Sequence, residues 1–391
     1  MVCGWPGEDS TRCQAYLLQQ IDFFLAANAS HATQVLLAKC GQYPVPRARV
    51  DLTSRLSSHM FLHMAASSSP PTLSGTYEVI SGVETIWQKP DTAPRGLLFL
   101  AHGCQHGAID FWPQSPKCTQ CIGLPEEVRI TRFALQAGWA VVAMSSADRT
   151  FSRCWSFEED GPAVAGALKT LRAAQGLESV PIAAMGASSG GAFVLQLPQA
   201  VPGLQAVVSQ IMAIPPQMLM AQESQPFPPA LFIHMERDGR TSAMVDKCVA
   251  KLTKNGLKAA QILAPSLPID DAFFSNRIVG LSGHASQRLR HALERASLLD
   301  GQGKLRDDPR RSDWREAVRA APGAPTLSEQ LPGVAPGHAD SLQPDASALS
   351  EELNVAWAMH EITADFMPQT IAWIESKGAS TTPQQTAAPE L

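Results

Sequence analysis

No apolar run in the chain approaches the roughly 18 residues of a membrane-spanning helix. The longest, such as Gly96-Leu97-Leu98-Phe99-Leu100-Ala101, have the length of a strand. Positive charge is not in excess either. Lysine and arginine number 31 against 36 aspartates and glutamates, a formal charge of −5, so binding to a nucleic-acid backbone is excluded as the main task. Eight cysteines in 391 residues are too dilute for a fold stapled by disulfides alone. A secretory signal is not expected, because the most apolar early stretch, 16–27, is interrupted by Gln19, Gln20 and Asp22. No internal repeat is visible. What the chain does have is 45% hydrophobic residues, ample for a large core, which excludes global disorder.

The pattern divides into five segments. Residues 1–75 read as a poorly ordered or weakly helical extension, with Leu17, Ile21, Phe24 and Leu25 at helical spacing and a Ser67-Ser68-Ser69-Pro70-Pro71 linker. Its arginine- and serine-rich part weakly resembles a transit peptide, but Glu8, Asp9 and Asp22 argue against one; a cytoplasmic location is favoured, with a plastid as the alternative. From 76 to 300, short apolar strands alternate with amphipathic helices. The strands are expected over 97–101, 140–144, 182–185, 206–213, 231–235 and 259–264, nearly continuous apolar runs of the kind buried on both faces. An antiparallel edge is expected from 77–87. Helices are expected from Pro125-Glu126-Glu127 to Gly138, through Val164, Ala167, Leu168 and Leu171 to Gly176, and through Val245, Cys248, Val249 and Leu252 to Gly256. This rhythm predicts an α/β fold, a mostly parallel central sheet with helices on both faces. Residues 301–349 read as an insertion rich in proline, glycine and charge, with a short helix near 314–319. Two helices at 351–360 and 366–377, the first capped by Ser350 and the second closed by Gly378, complete the core over 350–378, and 379–391 is a polar tail.

The most informative motif is Gly186-Ala187-Ser188-Ser189-Gly190, between an expected strand and an expected helix. A nucleophile on a sharp strand-to-helix turn needs small residues two positions away on each side, and Ser188 has glycines there. Ser189 would have Ala187 and Gly191, a poorer fit. His102-Gly103-Cys104 ends the strand two before this turn, where an oxyanion-binding amide belongs; the expected donors are the backbone N–H groups of Cys104 and Ser189. His102 itself is expected as a buried support for that loop. Asp238, in Glu236-Arg237-Asp238-Gly239 just past a strand, is the expected acid, with Glu236 second. For the base, residue types and order leave two candidates open: His284, on a loop-like segment, and His360, directly before the last helix.

His102-Gly103-Cys104, Asp110-Phe111-Trp112-Pro113, Ser115-Pro116-Lys117-Cys118-Thr119-Gln120-Cys121, Gly123-Leu124-Pro125-Glu126-Glu127, Gly186-Ala187-Ser188-Ser189-Gly190-Gly191 and Glu351-Glu352-Leu353-Asn354 with His360-Glu361-Ile362-Thr363 resemble a plant and algal family of the α/β-hydrolase superfamily. The resemblance covers roughly 76–377. It implies the α/β-hydrolase fold, places Ser188 and Asp238 by position, and sets that family's His-Glu-x-Thr pattern on His360, which decides between the two candidate bases in favour of His360. It implies no particular substrate.

Together these readings predict a serine hydrolase that cleaves a carboxylic ester, or an amide or thioester, through Ser188, His360 and Asp238. No cofactor or metal is expected, and the partner is a small ester-type molecule. Phe111, Trp112 and Trp155 are candidates to wall the acyl pocket. The alternatives are a binding protein on the same fold, or a protein stabilised through thiols or a metal. The last would use Cys104, Cys118, Cys121 and Cys154, which all fall on loops after strands. Four thiolates could hold zinc, or pair as disulfides, or act in redox chemistry. Free thiols packed as small apolar groups are the favoured reading, with all four gathered so as to order the long loop before Pro125.

Overall fold

In a computed structural model, residues 70–222, 225–320, 342 and 347–377 are described. The helical spacing at 17–25, the closing Gly378 and the tail lie outside them. Apolar and β-branched stretches of four to six residues cannot leave backbone polar groups unpaired, and here they pair into one eight-stranded sheet. Its strands are β1 (Thr76–Ile80), β2 (Val83–Gln88), β3 (Gly96–Ala101), β4 (Trp139–Met144), β5 (Ile182–Ala187), β6 (Val207–Gln210), β7 (Ala230–Met235) and β8 (Ala259–Ala264). Their order across the sheet is β1-β2-β4-β3-β5-β6-β7-β8. The expected antiparallel edge is a hairpin of β1 and β2, and β2 also runs antiparallel to β4. Every other pairing is parallel, with Leu98 opposite Val141 on one side and Ala183 on the other. This is the α/β-hydrolase fold.

Alternation along the strands feeds two cores. Leu98, Leu100, Val141, Ala143, Ala183 and Met185 face one layer. Leu97, Phe99, Ala140, Val142 and Ala184 face the other. The first layer is covered by α1 (Pro125–Gln136) and by α9 (Met367–Glu375), which contributes Ile371, Trp373 and Ile374. The second is covered by α2 (Phe157–Gln175), α3 (Ser189–Gln196) and α4 (Gly239–Lys254), whose Val245, Cys248 and Leu252 form the expected stripe. A third cluster joins α5 (Phe273–Arg277), α6 (Gly283–Arg295), α7 (Trp314–Arg319) and α8 (Ala348–Trp357) around Phe274, Leu289, Trp314 and Leu353.

Two expectations change. The segment around His284 is the first turn of α6, not a loop; its cap is Ser282, whose side chain accepts from the Ala285 N–H. The cap of α8 is Ser347 rather than Ser350, because the Ser347 hydroxyl accepts from the Ser350 N–H three residues on. Within the described part of the 301–349 segment, Leu305, Trp314 and Val318 are buried in the third cluster.

Candidate active site

The residues that end β5 dictate a tight reversal. A side chain at Gly186 would begin 2.3 Å from the Gly190 carbonyl oxygen, and one at Gly190 would begin 2.3 Å from the Ala101 carbonyl oxygen. Only glycine lets α3 start so close to β5 and β3. Ser188, between them, is held at φ 52°, ψ −119°, a costly conformation for a residue with a Cβ. Its N–H donates to the Gln210 carbonyl at the end of β6, 3.0 Å away. The result is a serine side chain at the carboxyl edge of the sheet.

Two elements far apart in sequence meet it there. The Ser188 Oγ lies 3.0 Å from His360 Nε2, and His360 Nδ1 lies 3.0 Å from Asp238 Oδ2. The carboxylate can only accept, so Nδ1 carries the proton and Nε2 is left to accept the serine hydroxyl proton. Asp238 also caps α4. It accepts from the Thr241 N–H at 3.1 Å and the Thr241 hydroxyl at 2.7 Å. Burial alone would raise its carboxyl, but the bonds from His360 and Thr241 outweigh that and hold it below the usual carboxylate range. Glu236, the second choice, is engaged elsewhere, with Oε2 accepting from the Ser266 N–H at 2.7 Å. His284 is exposed on α6. The Ser189 hydroxyl is buried with no partner among the described residues.

His360 sits at φ 50°, and Ala358 before it at φ 57°. Side chains that sequence reasoning did not single out fix this bend. The Gln210 amide brackets Thr363, accepting from its N–H and donating to its carbonyl, both at 2.9 Å. The Arg310 guanidinium donates to the Met359 and His360 carbonyls at 2.8 and 2.9 Å. Behind them, Glu126 accepts from the Ala364 N–H at 2.7 Å, and Arg129 and Arg277 both pair with Glu126 and Asp365. The Pro125-Glu126-Glu127 helix start and the His-Glu-x-Thr pattern are legible in sequence; their contact across 238 residues is not.

The loop expected to supply an oxyanion donor follows β3. His102 is fully buried; its Nε2 accepts from the Ser146 N–H at 3.1 Å, so Nδ1 donates to the Gly103 carbonyl, 2.6 Å away. Burial pushes its imidazole down to about 3, so it stays neutral as a support. The backbone amides of Cys104 and Ser189 have no acceptor among the described residues. Cys104 is bonded to Cys154, and Cys118 to Cys121. The four sulfurs therefore form two separate pairs, which corrects the free-thiol expectation and the idea of one gathered group. The thiolates a zinc ion would need are consumed, and no cluster of three or more metal-binding side chains occurs among the described residues.

Phe111 and Trp112 are corrected too. They are 1% and 0% exposed, packed in the first core, with the Trp112 indole N–H donating to Gln88 at 3.0 Å. A ring closed in on all sides offers no face to a substrate. Trp155 is half-buried, stacked on Phe193 with centroids 4.4 Å apart, and its indole N–H donates to the His102 carbonyl at 3.0 Å. No helix among the described residues is long and apolar enough to cross a membrane.

No family model and no curated protein matches the chain. Solved structures similar to it include a dienelactone hydrolase from Anabaena variabilis, 18% identical over 51% of this chain and 88% of that one, with a TM-score of 0.35. An esterase/lipase from an uncultured bacterium is 14% identical over 65% and 94%, TM-score 0.36. A thermostable carboxyl esterase from Bacillus coagulans is 11% identical over 50% and 90%, TM-score 0.37. Likeness at this level carries no argument about activity.

Proposed function

We propose that the protein is a serine hydrolase of carboxylic esters. The observation that carries this reading is the unbroken chain Ser188 Oγ, His360 and Asp238, two contacts of 3.0 Å, with the serine raised on a glycine-flanked turn. In this reading Ser188 attacks the acyl carbon while His360 Nε2 takes its proton. Asp238 holds the imidazole in the required tautomer and stabilises the imidazolium. The Cys104 and Ser189 amides, which have no acceptor among the described residues, bind the oxygen as it becomes anionic. His360 then protonates the leaving alcohol, water enters, and the same steps run again to release the acid. The motif set it shares with the plant and algal family supports the same roles. Amides and thioesters differ only in the leaving group and belong to the same chemistry.

The test is a fluorophosphonate probe with 4-nitrophenyl esters. Stoichiometric labelling on Ser188 and ester turnover are expected. An unlabelled, inactive protein would sink the proposal and leave a binding function on this fold.

A further inference from the structure

The mechanism above uses no part of the charged stretch Arg306-Asp307-Asp308-Pro309-Arg310-Arg311, which lies between α6 and α7. Leu305 before it and Trp314 after it are both anchored in the third core cluster. Asp308 closes a turn within it. Its Oδ1 accepts from the Arg310 N–H at 2.9 Å and its carbonyl from the Arg311 N–H at 2.9 Å, and Pro309 is buried. A fixed turn therefore carries the Arg310 side chain to the loop of His360.

That loop has few holds. The Ala358 carbonyl accepts from the Arg237 N–H at 3.0 Å, and Gln210 brackets Thr363. Between those points, Met359 and His360 make no backbone–backbone bond among the described residues. Yet His360 keeps φ 50°, a left-handed conformation that a residue with a Cβ holds only when its surroundings impose it. The hold at that point is a single guanidinium. Its Nη1 donates to the Met359 carbonyl at 2.8 Å and its Nη2 to the His360 carbonyl at 2.9 Å. Glu361 Oε2, 3.5 Å from Nη2, and Asp308 Oδ1, 4.0 Å from Nη1, flank the group with opposite charge. A guanidinium offers its donors in a rigid planar fork, whereas the ammonium of a lysine is a point charge on a flexible stem.

We infer that Arg310 is a positioning residue for the base: its two bonds to the Met359 and His360 carbonyls hold the His360 ring within reach of Ser188 and Asp238 at once. A segment outside the central sheet thereby sets the alignment of the site. This rests on the serine-hydrolase reading. The ring has to meet both partners at 3.0 Å, and a displacement of about 1 Å costs on the order of 100-fold in rate. Such a displacement weakens proton transfer in the transition state and leaves substrate binding as it was, so it is read in kcat and not in KM.

Arg310→Ala should lower kcat on 4-nitrophenyl butanoate by roughly 30-fold, with KM within about twofold of the wild type. Arg310→Lys keeps the charge without the fork and should recover little of that loss. The Arg310 side chain is 39% exposed, so a small cation can enter the space it vacates. Millimolar guanidinium chloride should therefore raise the kcat of Arg310→Ala several-fold. Sodium chloride at the same concentration should not, and neither salt should raise the wild type. A role in stability alone would lower the melting temperature and would not respond to guanidinium. Full kcat in Arg310→Ala overturns the inference, and so does full kcat in Arg310→Lys or a loss that guanidinium does not reverse. If the alanine variant does not fold, the lysine variant gives the same comparison of kcat with KM. Fluorophosphonate labelling of the wild type tells the failures apart: a labelled wild type with an unimpaired variant refutes the role of Arg310 only, and an unlabelled one refutes the hydrolase reading beneath it.

Discussion

At the scale of single residues, the Ser188–His360–Asp238 chain makes sharp demands. Ser188→Ala should lose covalent labelling and cut ester turnover by roughly 10³-fold or more; full labelling of that variant, with loss in Ser189→Ala, would move the nucleophile one residue. His360→Ala should lose turnover while His284→Ala, at an exposed position on α6, keeps most of it. Gln210 makes a separate demand. Its backbone carbonyl holds the Ser188 N–H while its side chain holds Thr363, three residues past His360, so one residue sets the spacing of both. It is fully buried. Gln210→Glu keeps the shape and the acceptor but removes the donor to the Thr363 carbonyl. A misplacement of about 1 Å in such a pair costs on the order of 100-fold, so kcat should fall by tens-fold with KM little changed. A lowered melting temperature with full kcat would make Gln210 structural only. None of this was legible in advance. Gln210 sits beside Ser209 within an apolar run and resembles any polar residue near a strand end, because its partner is 153 positions away.

At the scale of elements, the sequence was most readable where one physical constraint acted alone. Both-face burial makes β3, β4, β5 and β7 continuous apolar runs, and their bounds, like those of the edge strand β8, fall within two residues of expectation. A run such as 206–213 overshoots, because strand pairing stops at Gln210 while the apolar pattern continues into Ile211 and Ala213. Helix α6 was missed: its buried stripe of Ala285, Leu289, Ala292 and Leu293 is broken up by arginine and histidine. The loop from 102 to 124 shows how a long connection is ordered without gathering four sulfurs. The Ala108 N–H donates to Ser145, the Ile122 N–H to Ile109 and the Leu124 N–H to Asp110. The Cys104–Cys154 disulfide ties this loop to the one after β4 across 50 residues, a closure worth about 4 kcal/mol in the chain-entropy account. Cys118–Cys121 spans three and constrains only its own turn. Replacing Cys104 and Cys154 together by serine should therefore speed hydrogen exchange over 102–107 and 148–155 and lower turnover roughly tenfold through the displaced Cys104 amide. The serine pair at 118 and 121 should leave exchange over 102–107 as it was. The opposite ranking would show that the loop is ordered from its far end.

At the scale of the whole molecule, buried charge joins the first half of the chain to the last. Glu126 on α1, Arg277 on α5, Glu352 on α8 and Asp365 before α9 form one ion-paired set. Beside it, Glu127 and Glu351 face each other, and Glu127 Oε2 and both Glu351 oxygens have no other donor among the described residues. Two carboxylates in that position cannot both be ionised, so the pair holds a proton. Burial pushes Glu127 up to about 7 and raises Glu351 as well, whereas Glu126, although burial opposes it, is brought down to about 2 by Arg129 and Arg277. These groups pull stability in opposite directions with pH. Glu126 favours the folded state above its ordinary value of 4.5, and that contribution is lost as pH falls toward 2. Glu127 binds its proton more tightly when folded, so between 4.5 and about 7 the folded state holds more protons and stability falls as pH rises. His106, raised to about 10, adds stability that is complete below 6.5 and disappears as pH climbs through 10. His102, lowered to about 3, works the other way below 6.5 and offsets part of the Glu127 slope there, so the melting temperature should peak between pH 5 and 6 and decline through neutrality to pH 10. Glu127→Gln replaces the shared proton with a permanent amide donor to Glu351, so the decline between pH 5 and 7 should flatten by several degrees while the loss above pH 8 persists. Thermal unfolding of both proteins across this range is the measurement. A wild-type melting temperature that rises from pH 5 to pH 7, or an unchanged slope in the variant, would mean that Glu127 and Glu351 do not share a proton in the folded protein.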